Sequence, residues 1–182
     1  MPQLPLQNKC CGCNACGDVC PSNAIFYEKD IEGFLYPVID YKKCISCNKC
    51  ETVCPILNKP FDKDKYYKPI VYAAYTKDQE IRLDSTSGGI FSELALYIYD
   101  KGGVVCGAVF NDNHTVSHFI SNDEKHLPAI RSSKYLQSNM EGCYKKISSL
   151  LMNGETVLYC GDPCQVTALK NYLGKDYMNL IT

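Results

Sequence analysis

The sequence predicts an α+β chain of two unlike parts: a loop-rich cysteine module over residues 1–58 and an α/β domain over residues 70–182, joined by a linker at 59–69. Three observations predict it. Nine of the 13 cysteines fall in the first 54 residues, and only Cys106, Cys143, Cys160 and Cys164 follow. The stretch between the parts is charged, carries Pro60 and Pro69 and shows no apolar period. Beyond it, short apolar runs alternate with segments of helical spacing.

Charge narrows the possible partners. With 19 basic against 20 acidic side chains and no long basic run, the chain has no electrostatic footprint for nucleic acid and no polybasic anchor for a membrane surface. The longest apolar stretches, such as residues 102–110, fall far short of the roughly 20 residues that a membrane span needs. The first nine residues lack the basic start, apolar run and cleavage site of a secretory signal. The expected location is therefore cytoplasmic, where thiols stay reduced and cysteines serve as ligands more often than as disulfides.

Shifting the chain by 34 positions superposes Lys9 on Lys43, Cys10 on Cys44, Cys13 on Cys47, Asn14 on Asn48, Cys16 on Cys50, Val19 on Val53, Cys20 on Cys54 and Pro21 on Pro55. Each copy reads C-x2-C-x2-C-x3-C-P, the bacterial ferredoxin run that holds a four-iron cluster. Two-residue gaps let one tight loop deliver three thiolates to a cubane while its backbone N–H groups point at the sulfurs. The fourth ligand comes from the other motif. The spacing thus assigns Cys10, Cys13, Cys16 and Cys54 to one [4Fe-4S] cluster, and Cys44, Cys47, Cys50 and Cys20 to the other. Pro21 and Pro55 hold the cysteines before them in extended or turn geometry. Zinc is the alternative, since C-x2-C pairs also build four-cysteine zinc sites, but it leaves the third cysteine of each run, the C-P endings and the duplication unexplained. Cys11 falls opposite Ile45 in the repeat and reads as a spare thiol.

Between the motifs, residues 24–27 and 34–39 are rich in aromatic and β-branched side chains and predict a short antiparallel hairpin over a polar turn at 28–33, packed over one cluster. After the linker, 70–76 is a strand candidate. Ile90, Phe91, Leu94, Ala95 and Ile98 recur at helical spacing in a helix that runs to about Asp100. Strands follow at 103–110 and 115–121, the first apolar nearly throughout, as a strand buried on both faces would be. A helix over 139–153, a strand over 156–160, a helix over 164–173 and a short strand over 178–181 complete the pattern. The chain stops in that last strand, which reads as a partial domain.

Two segments of this second part carry candidate chemistry. Ser85-Thr86-Ser87-Gly88-Gly89 opens the first long helix, where unpaired N–H groups, hydroxyls and two glycines converge at the positive end of the helix dipole and favour an anion such as phosphate. The plainer reading is an N-cap supplied by Ser87. Cys160-Gly161-Asp162-Pro163-Cys164-Gln165 joins a strand end to a helix start, the position at which α/β sheets border their ligands. Cys160 and Cys164 read as ligands of a further cluster, as redox thiols, or as the isolated buried cysteines that are common in cores. His114, His118 and His126 lie in a polar stretch and read as surface residues, and no nucleophilic triad is in view.

The tandem run starting Lys9-Cys10-Cys11-Gly12-Cys13 is followed in order by Thr86-Ser87-Gly88-Gly89-Ile90-Phe91, Arg131-Ser132-Ser133-Lys134-Tyr135-Leu136-Gln137-Ser138 and Gly161-Asp162-Pro163-Cys164-Gln165-Val166. In this order the motifs resemble the coenzyme F420 hydrogenase/dehydrogenase beta subunit family, over nearly the whole chain from Cys10 onward. The resemblance implies an oxidoreductase in which a two-cluster ferredoxin-type domain precedes part of an α/β flavin-binding-type domain. FAD would pass electrons between the clusters and a two-electron partner. Archaeal members use the deazaflavin coenzyme F420, so the implied partners are a redox protein or electron carrier together with a deazaflavin or other small molecule. By resemblance, FAD contacts fall on Ser87, Gly88, Gly89, Arg131, Lys134, Gly161, Pro163, Cys164 and Gln165. Two features depart from the family pattern. Asp162 stands where the family often has a small hydroxyl residue, and a carboxylate there repels a pyrophosphate unless it turns away; the family also continues for roughly another domain's length. The competing reading is a ferredoxin-like electron carrier whose α/β domain docks a redox partner without flavin.

Overall fold

The structure, a computed structural model, describes residues 1–58 and 70–182; the expected linker at 59–69 lies outside the described residues. The cysteine module holds two short helices, α1 (Ala15–Asp18) and, after the hairpin strands β1 (Ile25–Lys29) and β2 (Leu35–Ile39), α2 (Lys49–Val53). The hairpin is antiparallel, with Ile25 opposite Ile39 and Lys29 opposite Leu35. Its turn is held by Asp30, whose carboxylate accepts the Glu32 and Phe34 N–H groups, each at 2.9 Å. The strands lie within a residue or two of the expected positions.

The second part begins with α3 (Gln79–Leu83) and α4 (Ile90–Asp100), continues through β3 (Val104–Phe110), β4 (Val116–Ser121), α5 (Leu127–Ile130), β5 (Ser138–Asn139) and α6 (Cys143–Met152), and ends with β6 (Val157–Tyr159), α7 (Pro163–Leu173) and β7 (Leu180–Ile181). The sheet order is β5-β4-β3-β6-β7. The β3–β4 pair is antiparallel and the other three pairs are parallel. Alternation along the central strands explains the layering. Val104, Cys106, Val157 and Tyr159 face a core with α6 and α7, while Val105, Val109 and Leu158 face Ala95 and Ile98 of α4 and Leu127 and Ile130 of α5. Both faces are covered, so these strands read as continuous apolar runs.

Three expectations are corrected. Residues 70–76 form no strand; the segment packs beside the helix start instead, where Thr76 N–H donates to the Gly88 carbonyl at 2.8 Å. The helix expected from residue 139 begins at Cys143, because Ser138 and Asn139 pair with Val116 and Ser117 as an edge strand. Ser87 does not cap α4. Its N-cap is Gly89, in the left-handed region at φ 81°, a conformation that glycine adopts without a Cβ penalty.

The cysteine module shares a core with the sheet. Cys13, Ala15 and Val53 pack with Tyr144, Ile147, Tyr159 and Leu169. Polar bonds cross the same seam. Asp18 accepts the Gly142 and Tyr144 N–H groups at 2.6 and 3.0 Å, capping α6, and Asn14 Oδ1 accepts Met140 N–H at 3.1 Å. Gln137 brackets Leu35, accepting its N–H at 2.7 Å and donating to its carbonyl at 3.0 Å. Asn171 of α7 donates to the Asn58 carbonyl at 2.8 Å.

Candidate functional site

The sequence repeat is also a backbone repeat. Gly12 and its counterpart Ser46 stand at φ 65° and 53°, and Asn14 and Asn48 at 62° and 57°. Left-handed residues alternating with right-handed ones turn successive N–H groups to one side and form an anion-binding concavity. The third cysteine of each run follows on a one-turn helix. N–H groups reach the sulfurs: Ala24 donates to Cys20 Sγ at 3.3 Å and Ser46 to Cys44 Sγ at 3.5 Å.

The eight repeat cysteines line two cavities. One is bordered by Cys10, Cys13, Cys16 and Cys54, with Cys11 also in its wall, the other by Cys20, Cys44, Cys47 and Cys50. Each thus combines three thiols of one run with the last thiol of the other, the exchange that the spacing dictates. Burial pushes the thiols of Cys10 and Cys50 up and that of Cys16 to about 12, so at neutral pH these sulfurs ionise when iron takes the place of the proton. At Cys20 burial acts in the same direction, but hydrogen bonds from Ala24 and Ser22 outweigh it and lower the pKa. Thiol donors with N–H support fit a [4Fe-4S] cluster in each cavity. Among the described residues no three or more His, Cys, Asp or Glu close on a single-ion point.

The hairpin borders both cavities rather than one: Tyr27 and Pro37 line the first, Ile25 and Ile39 the second. Tyr27 locks the first loop, donating to the Asn14 carbonyl at 2.7 Å and accepting Gly17 N–H at 3.1 Å. The second cavity is nearer the surface, since Cys47 is exposed and Ile45 beside it is 64% exposed. Cys11 is not isolated. It lies at the wall of the first cavity and packs against the shared core.

A cleft of about 580 Å³ opens in the second part. Ser87, Gly88, Gly89, Arg131, Lys134, Gly161 and Gln165 line it; Pro163 and Cys164 do not. Close packing explains the glycines. A Cβ on Gly88 would stand 2.6 Å from the Ala74 carbonyl oxygen, and one on Gly161 would stand 2.8 Å from the Tyr159 hydroxyl and 2.9 Å from Gln165 Oε1. Gln165 Oε1 accepts the Asp162 N–H at 2.8 Å, half of a capping box that assigns Asp162 to the start of α7.

The cleft's two cations are committed to the protein. Lys134 donates to the carbonyls of Ala129, Ile130, Arg131 and Ser132 at 2.6 to 3.1 Å, closing the end of α5, and burial lowers its pKa. Arg131 pairs with Asp84 at 2.9 Å. Two buried polar atoms of cleft residues lack partners, Ser92 Oγ and Arg131 Nε.

His118 was expected at the surface but lines the cleft. It stacks on Tyr159, ring centres 5.7 Å apart. One ring nitrogen, Nε2, lies 3.1 Å from the Cys160 carbonyl and Nδ1 lies 2.7 Å from Ser138 Oγ. A carbonyl only accepts, so Nε2 carries the proton and Nδ1 accepts from the serine. Burial lowers the His118 pKa, keeping the ring neutral. His126 is also engaged, 2.8 Å from Ser121 Oγ, and only His114 is exposed. The polar neighbours of His118 in sequence hid its position, and only the alternation of β4 pointed inward.

Residues 9–57 match the 4Fe-4S dicluster domain family, and residues 36–90 match a second family of the same description. No curated protein matches the chain. With the two cysteine cavities, these matches define a ferredoxin-type dicluster domain at the N-terminus. The chain is an iron-sulfur protein of the electron-transfer type. Among the described residues no helix is long and apolar enough to cross a membrane.

Proposed function

We propose that the chain is an iron-sulfur flavoprotein oxidoreductase, with FAD in the cleft and a deazaflavin or similar two-electron molecule as its partner. The observation that carries this reading is convergence: segments around residues 85–92, 130–138 and 160–165, far apart in sequence, border one cleft. When bound, FAD supplies exchange of electrons singly or in pairs. The first N–H groups of α4 have no intrahelical acceptor and, with Ser92 Oγ, offer donors to an anionic group. His118, held neutral, adds no charge to the floor, while Tyr159 beneath it and Tyr144 fill the space toward the first cysteine loop.

The carrier reading has one observation in its favour: Lys134 is tied to four backbone carbonyls and Arg131 to Asp84, acceptors that compete with a pyrophosphate for both cations. Titration separates the two. Protein with its clusters in place is titrated with FAD and flavin fluorescence is followed. Saturable quenching that is lost in Ala108→Phe, which fills the cleft from β3, supports the flavin reading. Quenching absent in wild type, or unchanged in the variant, removes it.

A further inference from the structure

The two cysteine loops carry the same polar residue at one position and place it in different surroundings. Asn14 and Asn48 correspond in the 34-residue repeat and share a left-handed backbone, at φ 62° and 57°. Each borders the cavity of its own run. Asn48 is exposed and turns its carboxamide to water, whereas Asn14 is 3% exposed. Its side chain is fixed from across the seam, where Oδ1 accepts Met140 N–H at 3.1 Å. A backbone N–H only donates, so the oxygen has to face Met140 and the amide nitrogen points elsewhere. That nitrogen, Nδ2, is buried and has no hydrogen-bond partner among the described residues. A buried donor is costly to leave unpaired. Apart from thiols, the wall of the first cavity beside Asn14 is made by Leu4, Pro5, Gly12, Tyr27, Pro37 and Ile56. The one side-chain acceptor among these is the Tyr27 hydroxyl, already engaged with Gly17 N–H and the Asn14 carbonyl.

We propose that the Asn14 carboxamide donates an N–H···S hydrogen bond to the [4Fe-4S] cluster of the first cavity, and that Met140, from the second part of the chain, holds it in that orientation. The inference rests on the cluster reading of that cavity and is independent of what fills the cleft. Sulfur is the acceptor chemistry that the four ligand cysteines bring to this wall. Reduction puts more negative charge on the cluster, so a donor to its sulfurs stabilises the reduced form and raises the reduction potential. Asn48, hydrated at the surface, gives the second cluster no matching bond. Two clusters with the same kind of ligands thus differ through one side chain, and the α/β part sets that difference through a single backbone N–H.

The test uses anaerobically purified protein with its clusters in place, labelled with nitrogen-15 in the side-chain amide of asparagine. Pulsed electron paramagnetic resonance of the reduced protein should show hyperfine coupling to an amide nitrogen, lost in Asn14→Gly and kept in Asn48→Gly. Glycine suits the left-handed backbone at both positions. Redox titration of the same variants should show one midpoint lowered by Asn14→Gly and neither moved by Asn48→Gly. A purely structural role for Asn14 would change stability without any such coupling in wild type. Full iron and sulfide with no coupling in wild type, a coupling that survives in Asn14→Gly, or two midpoints shifted alike overturns the proposal alone. Absence of iron and sulfide overturns it together with the cluster reading. Where Asn14→Gly folds poorly, the other two proteins decide: coupling in both wild type and Asn48→Gly supports the proposal, and its loss in Asn48→Gly overturns it.

Discussion

Tyr144 donates its buried hydroxyl to the carbonyl oxygen of Cys13 at 2.7 Å, joining the first helical turn of α6 to the loop that forms the first cysteine cavity. The bond lies in the shared core, so folding of the α/β part and shaping of the cluster loop are one event. Tyr144→Phe keeps the packing and leaves that carbonyl without its donor, at a cost of about 1–3 kcal/mol for a buried orphan. The expected result is a lower midpoint in denaturant melts and a changed reduction potential for one cluster only, since hydrogen bonding around the ligand loop tunes it. Equal shifts of both clusters would contradict the assignment.

The crossed ligand sets predict a pairing that sequence neighbours alone would not give. Cys16→Ser and Cys54→Ser should impair the same cluster, and Cys20→Ser and Cys50→Ser the other. Electron paramagnetic resonance of each reduced variant checks this. If Cys16→Ser and Cys20→Ser impair the same cluster, the cavities are assigned wrongly.

Gly161 is confined by Tyr159 and Gln165. Gly161→Ala should destabilise the protein by about 1–3 kcal/mol through overpacking. Tyr159→Phe removes one of the two crowding oxygens, so the alanine should cost clearly less in that background. A double-mutant cycle on urea unfolding measures the coupling; strict additivity would show that the crowding does not matter.

His118 predicts a pH dependence. Burial places its folded pKa below 6.5, so the unfolded chain binds the extra proton first as pH falls. The stability contributed by the neutral ring is therefore present above about 6.5, is lost as pH falls through that value, and levels off below the folded pKa. The stability advantage of wild type over His118→Asn should shrink between about pH 7.5 and 5.5. An advantage that grows on acidification would mean that the ring is protonated in the fold.

The cluster chemistry was legible because it is local: cysteine spacing, the C-P endings and the 34-residue shift fix which thiols share a cavity. The sheet strands were legible from apolar runs, and the segments quoted for the flavin contacts do meet in one cleft. What was hidden depends on contacts distant in sequence. Asp18 occupies the position that Thr52 holds in the other copy, and its departure from the repeat signals a special role, but its partner at α6 lies more than 120 residues away. Gln137 and Leu35 are equally remote. Residues 70–76 have the composition of a strand, and tertiary pairing with the glycine turn overrides it. Cys11 looked spare because the repeat sets it opposite Ile45 and says nothing of its place in the wall of the first cavity.

The most direct test is the content of iron, acid-labile sulfide and FAD per chain after anaerobic purification. The account predicts about eight irons and eight sulfides with FAD bound in stoichiometric amount. Zinc in place of iron, with no labile sulfide, would contradict it.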